Sequence, residues 1–221
     1  MGDAFRTRFG IDVSAYQNRS CPDNTIDWEA VADDGVDFAM IRIALRGTST
    51  GELHADAFYE ENIDGAMDAG IKTGVYIFSQ AITVEEALEE ADYVIDLLDG
   101  REIDGPVAFD WEMQDRSYRV FGLDPEIATA CARAFCRRIE RAGYDPMIYC
   151  SQYVGYLKFD LSALQDYPIW YPEYKYPTTD PERVFPGFHY QMDYWQYTDS
   201  AEIAGIEGRV DANLRFIPKR R

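Results

Sequence analysis

Two acidic residues near the middle of the chain, Asp110 and Glu112, are spaced so that they could act together. They follow the apolar residues 106–109, a pattern that predicts a β-strand ending at the pair. Side chains at positions i and i+2 of a strand share one face, with Cα atoms ~6.6 Å apart. Two partly desolvated carboxyl groups this close cannot both ionise easily, so the pKa of one should rise. Such a pair can supply a general acid, and binding of a divalent metal is the competing use.

Two further acidic residues flank predicted strands elsewhere in the chain. Asp12 lies at the end of the first predicted strand, and Asp211 lies just before the last one. In a barrel of parallel strands, function is located at the C-terminal ends of the strands and in the loops that follow. We therefore expect Asp12, Asp110, Glu112 and Asp211 to meet at one mouth of a barrel and to form a catalytic group.

Aromatic side chains recur at or near the ends of the predicted strands. A ring-lined groove around paired carboxyl groups suits a carbohydrate, because the apolar C–H faces of sugars lie against aromatic rings. The rings expected to contact substrate are Tyr76, Phe78, Tyr149, Trp170, Tyr174 and Trp195. We add Arg42, on the second predicted strand, to the expected substrate contacts.

The elements that must position these residues alternate along the chain. Strand-like and helix-like segments follow one another up to residue 150, and beyond it the segments between strands are rich in Pro, Gly, Tyr and Asp, without helical periodicity. The predicted strands are 9–14, 38–44, 74–79, 106–112, 147–150, 169–171, 194–198 and 212–216. Eight strands with five helical connections and a helix-poor C-terminal end predict an α/β fold of the shortened TIM-barrel type. An open doubly wound sheet is the alternative.

Composition excludes several classes of protein. The 221 residues include 40 Asp and Glu against 21 Lys and Arg, a net charge of −19, and 14% aromatic residues. An aromatic content this high argues against disorder, and the acidic balance argues against nucleic-acid binding. No apolar run is long enough to span a membrane, and no secretory signal is visible. With four dispersed cysteines and two histidines, we expect buried thiols, no metal and no cofactor.

The sequence also predicts the domain organisation. No repeat, linker or low-complexity segment divides the chain, so we expect one catalytic barrel over residues 9–218, acting as a monomer. Residues 1–8 are expected to form an N-terminal extension, and residues 219–221 a basic tail.

The order of motifs resembles the glycoside hydrolase family 25 lysozymes, which are N-acetylmuramidases. The resemblance covers nearly the whole chain and is specific through its succession of motifs rather than through any single one. The matching segments are 10–17, 26–28, 35–38, 69–76, 110–112, 195–197 and 205–213, together with Asn62, Ala66, Gly143, Tyr144, Pro146, Tyr149, Trp170 and Tyr174. One departure follows the second strand, where Arg46 precedes Gly47 and many relatives carry an acidic residue.

The resemblance implies a flattened (β/α)5β3 barrel that cleaves the β-1,4 bond between N-acetylmuramic acid and N-acetylglucosamine in peptidoglycan. It implies Glu112 as the general acid, assisted by Asp110, and Asp12 and Asp211 as charge-tuning and substrate-binding residues. Retention of configuration through the substrate's acetamido group is the favoured outcome. The family positions in the groove are matched by Tyr76, Tyr149, Trp170, Tyr174 and Gln196.

Two other functions remain open on sequence grounds. One is a non-catalytic peptidoglycan- or glycan-binding barrel, and the other is a glycosidase acting on another acetamido-sugar polymer such as chitin. Four acidic residues at the expected site favour an enzyme, because a binding module needs no proton donor. Peptidoglycan glycan strands are the expected partner, and the expected location is extracellular or at the cell wall.

Overall fold

The computed structural model describes residues 5–175, 181 and 185–219. The strands are β1 (Phe5–Val13), β2 (Phe38–Arg46), β3 (Leu53–Ala55), β4 (Lys72–Ser79), β5 (Val107–Trp111), β6 (Pro146–Tyr149), β7 (Ile169–Pro172), β8 (Tyr194–Ala201) and β9 (Val210–Pro218). The helices are α1 (Ala15–Ser20), α2 (Trp28–Asp33), α3 (Tyr59–Asp68), α4 (Val84–Leu98), α5 (Pro125–Arg141) and α6 (Gln152–Leu157).

Eight of these strands close into a barrel. The order of hydrogen-bonded neighbours is β1-β9-β8-β7-β6-β5-β4-β2, and the pairing of β1 with β2 completes the ring. The predicted α/β barrel with eight strands is therefore confirmed, and the open-sheet alternative is wrong. An additional strand, β3, pairs antiparallel with the outer end of β2.

One barrel strand runs against the others. Neighbouring strands are parallel in the pairs β1–β2, β2–β4, β4–β5, β5–β6, β6–β7 and β7–β8. Strand β9 is antiparallel to both of its neighbours, β8 and β1. The start of β9 therefore lies at the mouth where the other barrel strands end. This direction matters for function, because Asp211 is the second residue of β9.

Apolar side chains fill both sides of the barrel wall. All five residues of β5 are buried, as expected for a strand covered on both faces. A second cluster of buried apolar and aromatic side chains packs the barrel interior: Phe38, Met40, Ala108, Met147, Tyr149, Trp170 and Tyr194. At Gly10, a Cβ atom would lie 2.4 Å from the ring of Phe38, so only glycine lets β1 approach this ring.

The structure differs from the predicted elements in two places. Residues 53–55, which are absent from the eight predicted strands, form β3, and α3 begins after it at Tyr59. Residues 5–8, expected within an N-terminal extension, lengthen β1 and pair with residues 215–218 of β9. Lys219 follows β9 and is exposed, and the rest of the predicted basic tail lies outside the described residues.

Helices lie in the first five connections between consecutive barrel strands, from β1 to β7, and are absent from the described residues after β7. The two long helices α4 and α5 pack against each other and against the barrel through small and apolar side chains. All four cysteines are buried and free, which matches the expectation of ordinary thiols. In the part of the chain that is described, no helix has the length and apolar character required to cross a bilayer.

Candidate active site

The strand register brings the predicted acidic residues to one mouth of the barrel. Asp12 on β1 lies directly opposite Asp211 on β9. Asp110 on β5 is level with Phe78 on β4 and with Tyr149 on β6. Because β9 is antiparallel, the early position of Asp211 in its strand places it level with residues near the ends of the other strands.

A groove opens at this mouth, with a volume of about 660 Å³. All four predicted acidic residues line it, together with six of the other predicted contacts. The predicted residues in the lining are Asp12, Asp110, Glu112, Asp211, Arg42, Tyr76, Phe78, Tyr149, Trp170 and Gln196. No three His, Cys, Asp or Glu side chains in the described ranges are grouped as ligands for a metal ion.

Asp12 is held in a network of side-chain amides. Gln196 Nε2 donates to Asp12 Oδ2 at 2.8 Å and to Asp211 Oδ2 at 3.3 Å. Asn213 Nδ2 also donates to Asp12 Oδ2, at 2.7 Å. The Gln196 carbonyl oxygen accepts from the hydroxyl groups of Tyr149 at 3.0 Å and Tyr174 at 2.8 Å. These bonds fix the orientation of the amide and hold the Asp12 carboxyl group rigidly.

Asp12 and Asp211 are able to share one proton. Burial raises the pKa of Asp12 well above its ordinary value of 3.8, and the charge of Asp211 raises it further. Burial and then the charge of Asp199 raise the pKa of Asp211 to about 6, although its hydrogen bond with Asp12 opposes this rise. We therefore assign the proton to Asp12, which donates it to the Asp211 carboxylate.

Asp110 is buried and has an oxygen atom free to accept. Its pKa is raised well above 3.8 by burial, then by the charges of Glu112 and Asp12, while Arg42 lowers it. Its Oδ1 atom has no hydrogen-bond partner among the described residues. An unpaired buried carboxyl oxygen is costly in a folded protein, and facing a groove it can accept an N–H or O–H group from a ligand.

Glu112 follows β5 directly and is half-buried at the groove. Burial raises its pKa above the ordinary value of 4.5, and the charge of Asp211 adds to the rise. The preceding residue, Trp111, is fully buried, and its indole Nε1 donates to Ala81 O at 3.0 Å. The position of Glu112 therefore depends on an anchored backbone, and its raised pKa suits a proton donor.

Four of the six predicted aromatic residues line the floor of the groove: Tyr76, Phe78, Tyr149 and Trp170. The ring of Trp170 contacts Tyr149 and Tyr76 edge-on, with centroid separations of 4.8 and 5.8 Å. Trp170 Nε1 donates to Asn213 Oδ1 at 2.8 Å, which couples the floor to the Asp12 network. The ring of Phe78 contacts the ring of Tyr118 edge-on, with the two ring centroids 6.4 Å apart.

Arg42 is positioned by a residue that the sequence reasoning missed. Its guanidinium group bonds Asp56 Oδ2 through Nε at 2.8 Å and through Nη2 at 2.7 Å. Asp56 is buried and also accepts from the backbone N–H of Ala15, at the start of α1. The exposed ring of Tyr16 lies beneath the guanidinium, 5.2 Å from its carbon atom, and lines the groove. Tyr16 is thus the open ring surface at this edge of the site.

The expectation that Trp195 contacts substrate is wrong. Its side chain is fully buried in the outer core, and its Nε1 donates to Glu173 O at 3.0 Å. Neighbouring residues in a strand point to opposite faces, so Trp195 faces away from the groove when Gln196 faces into it. Tyr174 contacts the site through Gln196 and is absent from the groove lining.

A protein-family model covers most of the chain. The model for Glycosyl hydrolases family 25 matches residues 11–206. The chain belongs to glycosyl hydrolase family 25. This match spans β1 to the loop before β9 and includes the strand ends that carry Asp12, Asp110 and Glu112.

Named relatives lie within the same group of proteins. The autolytic lysozyme of Clostridium acetobutylicum is 27% identical over 203 residues, covering 91% of this chain and 54% of that protein. Lysozyme M1 of Streptomyces globisporus is 26% identical over 210 residues, covering 92% of this chain and 66% of that protein. The chain thus spans about half the length of the first relative.

The fold is shared with a solved structure, the spore cortex lytic enzyme SleM of Clostridium perfringens. The TM-score is 0.75 at 24% sequence identity, and the alignment covers 95% of this chain and 67% of that chain.

Proposed function

We propose that this family 25 chain is an N-acetylmuramidase, cleaving the β-1,4 bond between N-acetylmuramic acid and N-acetylglucosamine in peptidoglycan. The observation that carries the proposal is that two groups line the same groove: the half-buried Glu112, whose pKa is raised, and the buried Asp110, whose Oδ1 atom has no hydrogen-bond partner among the described residues. A proton donor beside an acceptor for an amide N–H fits an acetamido sugar. The two relatives named lysozymes support the same substrate class.

In the first step, Glu112 donates its proton to the glycosidic oxygen as the bond from that oxygen to the anomeric carbon breaks. The carbonyl oxygen of the substrate's acetamido group attacks the anomeric carbon from the opposite side, forming an oxazolinium ion. Asp110 Oδ1 accepts the acetamido N–H and stabilises the positive charge that develops on nitrogen. Glu112 acts in the protonated form that burial favours, and Asp110 acts through its unpaired Oδ1 atom, which can accept a hydrogen bond whether or not the carboxyl group is ionised.

In the second step, the Glu112 carboxylate takes a proton from an incoming water as that water attacks the anomeric carbon. The oxazolinium ring opens, the acetamido group is restored and the product keeps the β configuration. Asp12 and Asp211 share a proton at the side of the groove and limit the negative charge that the substrate meets. Proton NMR during early hydrolysis should show the β-anomer first, and an initial α-anomer would overturn this order of steps.

The direct test compares the protein with its Glu112→Gln variant on purified, insoluble peptidoglycan. We expect the unmodified protein to release soluble glycan and new reducing ends, and the variant to lose at least ~100-fold in rate while still sedimenting with the wall material. Glu202→Gln, which removes an exposed carboxylate between β8 and β9, is the matched control and should remain active. Equal activity in Glu112→Gln, or binding without cleavage by the unmodified protein, would refute the enzymatic proposal.

Substrate class and location are part of the same proposal. Chitooligosaccharides serve as the competing substrate, and we expect their cleavage to be much slower than that of peptidoglycan. Action outside the cell, at the wall, follows from the substrate and from the lysozyme relatives. We propose a monomer, for which light scattering should give a mass near 25.3 kDa.

A further inference from the structure

A buried ion pair lies behind the groove, between β2 and α4. Glu90 on α4 is fully buried, and its Oε1 accepts from Arg46 Nε at 2.7 Å. Arg46, the last residue of β2, is only 3% exposed and lines the groove. Its other nitrogen atoms donate to Gly51 O at 2.7 Å and to Glu86 O at 3.1 Å. A buried pair that is fully hydrogen-bonded fixes the geometry of the elements it joins.

The same carboxyl group holds the residues that follow β4. Ser79 Oγ donates to Glu90 Oε2 at 2.5 Å, and the backbone N–H of Gln80 donates to Glu90 Oε1 at 3.4 Å. Gln80 is itself fully buried. The four residues Arg46, Ser79, Gln80 and Glu90 form what we call the Glu90 network.

The Glu90 network reaches the backbone of Glu112 through the side chain of Gln80. Gln80 Nε2 donates to Glu112 O at 2.8 Å and to Ser79 O at 3.0 Å. Two carbonyl acceptors on one side of the amide require its NH₂ group there, which settles the orientation of the amide. One side chain therefore connects the buried Glu90 to the residue that faces the groove.

A second contact ties the loop after β5 to the same place. Arg119 in this loop donates to Gln80 O at 3.2 Å and to both carboxylate oxygens of Glu86, at 3.1 and 2.9 Å. Its backbone N–H donates to the carbonyl oxygen of Thr48, a residue that lines the groove, at 2.9 Å. The loop that begins with Glu112 is thus held at its start by Gln80 and again, seven residues later, by Arg119.

We propose that Gln80, oriented by the buried Arg46–Glu90 pair, is a positioning residue that fixes the backbone of Glu112 and so sets how its carboxyl group enters the groove. The inference rests on the proposed role of Glu112 as general acid. It also gives a function to Arg46, which pairs with the buried Glu90. An arginine there can pair with Glu90, whereas a carboxylate in the same place would face like charges on α4.

The surroundings of Glu90 support a structural use of its charge rather than a direct catalytic one. Burial raises its pKa to about 7, while hydrogen bonds from Ser79 and Arg46 oppose the rise. The charged and titratable groups around the Arg46–Glu90 pair are Glu86 and Glu89, which act on Arg46, and Cys131 from α5, which feels the charge of Glu90. Glu90 is outside the groove lining, so its effect on the reaction must pass through Gln80.

The test replaces Gln80 with methionine, which keeps the length of the side chain and removes both hydrogen bonds. We expect kcat on soluble peptidoglycan strands to fall by about tenfold or more, the size of effect that follows a small displacement of a catalytic group. KM should change by less than about threefold, because the groove lining is otherwise intact. Gln80→Asn, too short to reach Glu112 O, should act in the same direction and serves if the methionine variant does not fold.

A second readout distinguishes positioning from a loss of stability. The carboxyl carbon of Glu112, assigned by comparison with Glu112→Gln, is titrated by ¹³C NMR in each protein. In Gln80→Met the pKa of Glu112 should fall towards its ordinary range, because a released loop lets water reach the carboxyl group. A merely structural role would lower the melting temperature and leave this titration unchanged.

Glu89→Gln is the matched control. Glu89 precedes Glu90 on α4 and pairs with Arg46 at 2.7 Å, but its side chain is 62% exposed. We expect its kcat and its Glu112 titration to equal those of the unmodified protein. Unchanged kcat and titration in Gln80→Met, or equal changes in Glu89→Gln, would overturn the proposal. If the unmodified protein does not cleave peptidoglycan, the proposed function fails, and the titration still decides whether Gln80 positions Glu112.

Discussion

Replacing Asp211 with asparagine should make the protein more stable at neutral pH. Burial and the charge of Asp199 raise the pKa of Asp211 from 3.8 to about 6 in the folded state. Between these two values the folded protein holds a proton that the unfolded chain has released. The free energy of unfolding therefore falls as pH rises through this range, and the full loss is present above pH ~6.

The size of the effect follows from the two pKa values. A rise from 3.8 to about 6 corresponds to about 3 kcal/mol at pH 7.5 and to about 1 kcal/mol at pH 4.5. Asparagine carries no charge at either pH and can still accept a hydrogen bond from Gln196. We therefore expect Asp211→Asn to be stabilised by about 2–3 kcal/mol at pH 7.5 and by about 1 kcal/mol at pH 4.5.

Urea unfolding at both pH values measures this difference. Glu202→Gln, which removes an exposed carboxylate from the turn that leads to β9, controls for the change in net charge. The reasoning is refuted if the stabilisation of Asp211→Asn does not depend on pH, or if Glu202→Gln shows the same gain. Reduced peptidoglycan cleavage by Asp211→Asn would accompany the gain, because functional sites often trade stability for activity.

Three further predictions concern substrate contact, charge and thiol reactivity. Tyr16→Ala should raise KM about three- to tenfold, because the substrate loses about 1 kcal/mol of contact with the ring. Tyr153→Ala removes an exposed ring on α6 and is the control, and an equal rise in KM there would count against the role of Tyr16. The rate of cleavage of anionic cell walls should rise with added salt up to moderate concentration, because salt screens the repulsion between the wall and a protein of net charge −19. A rate that declines steadily from the lowest salt concentration would contradict this. Ellman's reagent at pH 8 should label no cysteine until the protein unfolds, because all four thiols are buried and burial raises the pKa of Cys131 and Cys150 to about 12. Rapid labelling of the native protein would contradict this prediction.

The ends of the barrel strands could be predicted because their signals are local. An apolar run followed by a D-x-E pair fixes both the strand and the face that the two carboxyl groups share, and β5 with Asp110 and Glu112 follows this rule. Asp12 could be found in the same way at the end of β1. The sequence alone did not indicate that β9 runs antiparallel, which is what places the start of the strand, and so Asp211, at the functional mouth.

Residues that act through long-range contacts could not be found this way. Asp56 lies in an irregular segment and resembles the many other acidic residues of the chain, so only the fold shows that it holds Arg42. Gln80 follows a strand without any distinguishing pattern. The face of Trp195 cannot be predicted from the sequence, because aromatic residues lie on both sides of β8 and alternation alone does not say which side faces the groove.

The identity of the new reducing end tests the central claim most directly. Soluble products from peptidoglycan digested by the unmodified protein are reduced with borohydride and analysed by mass spectrometry. Hydrolysis through Glu112 at the predicted bond should give reduced N-acetylmuramic acid at every new end, and none should form with Glu112→Gln. Reduced N-acetylglucosamine at the new ends, or no new ends at all, would contradict the account.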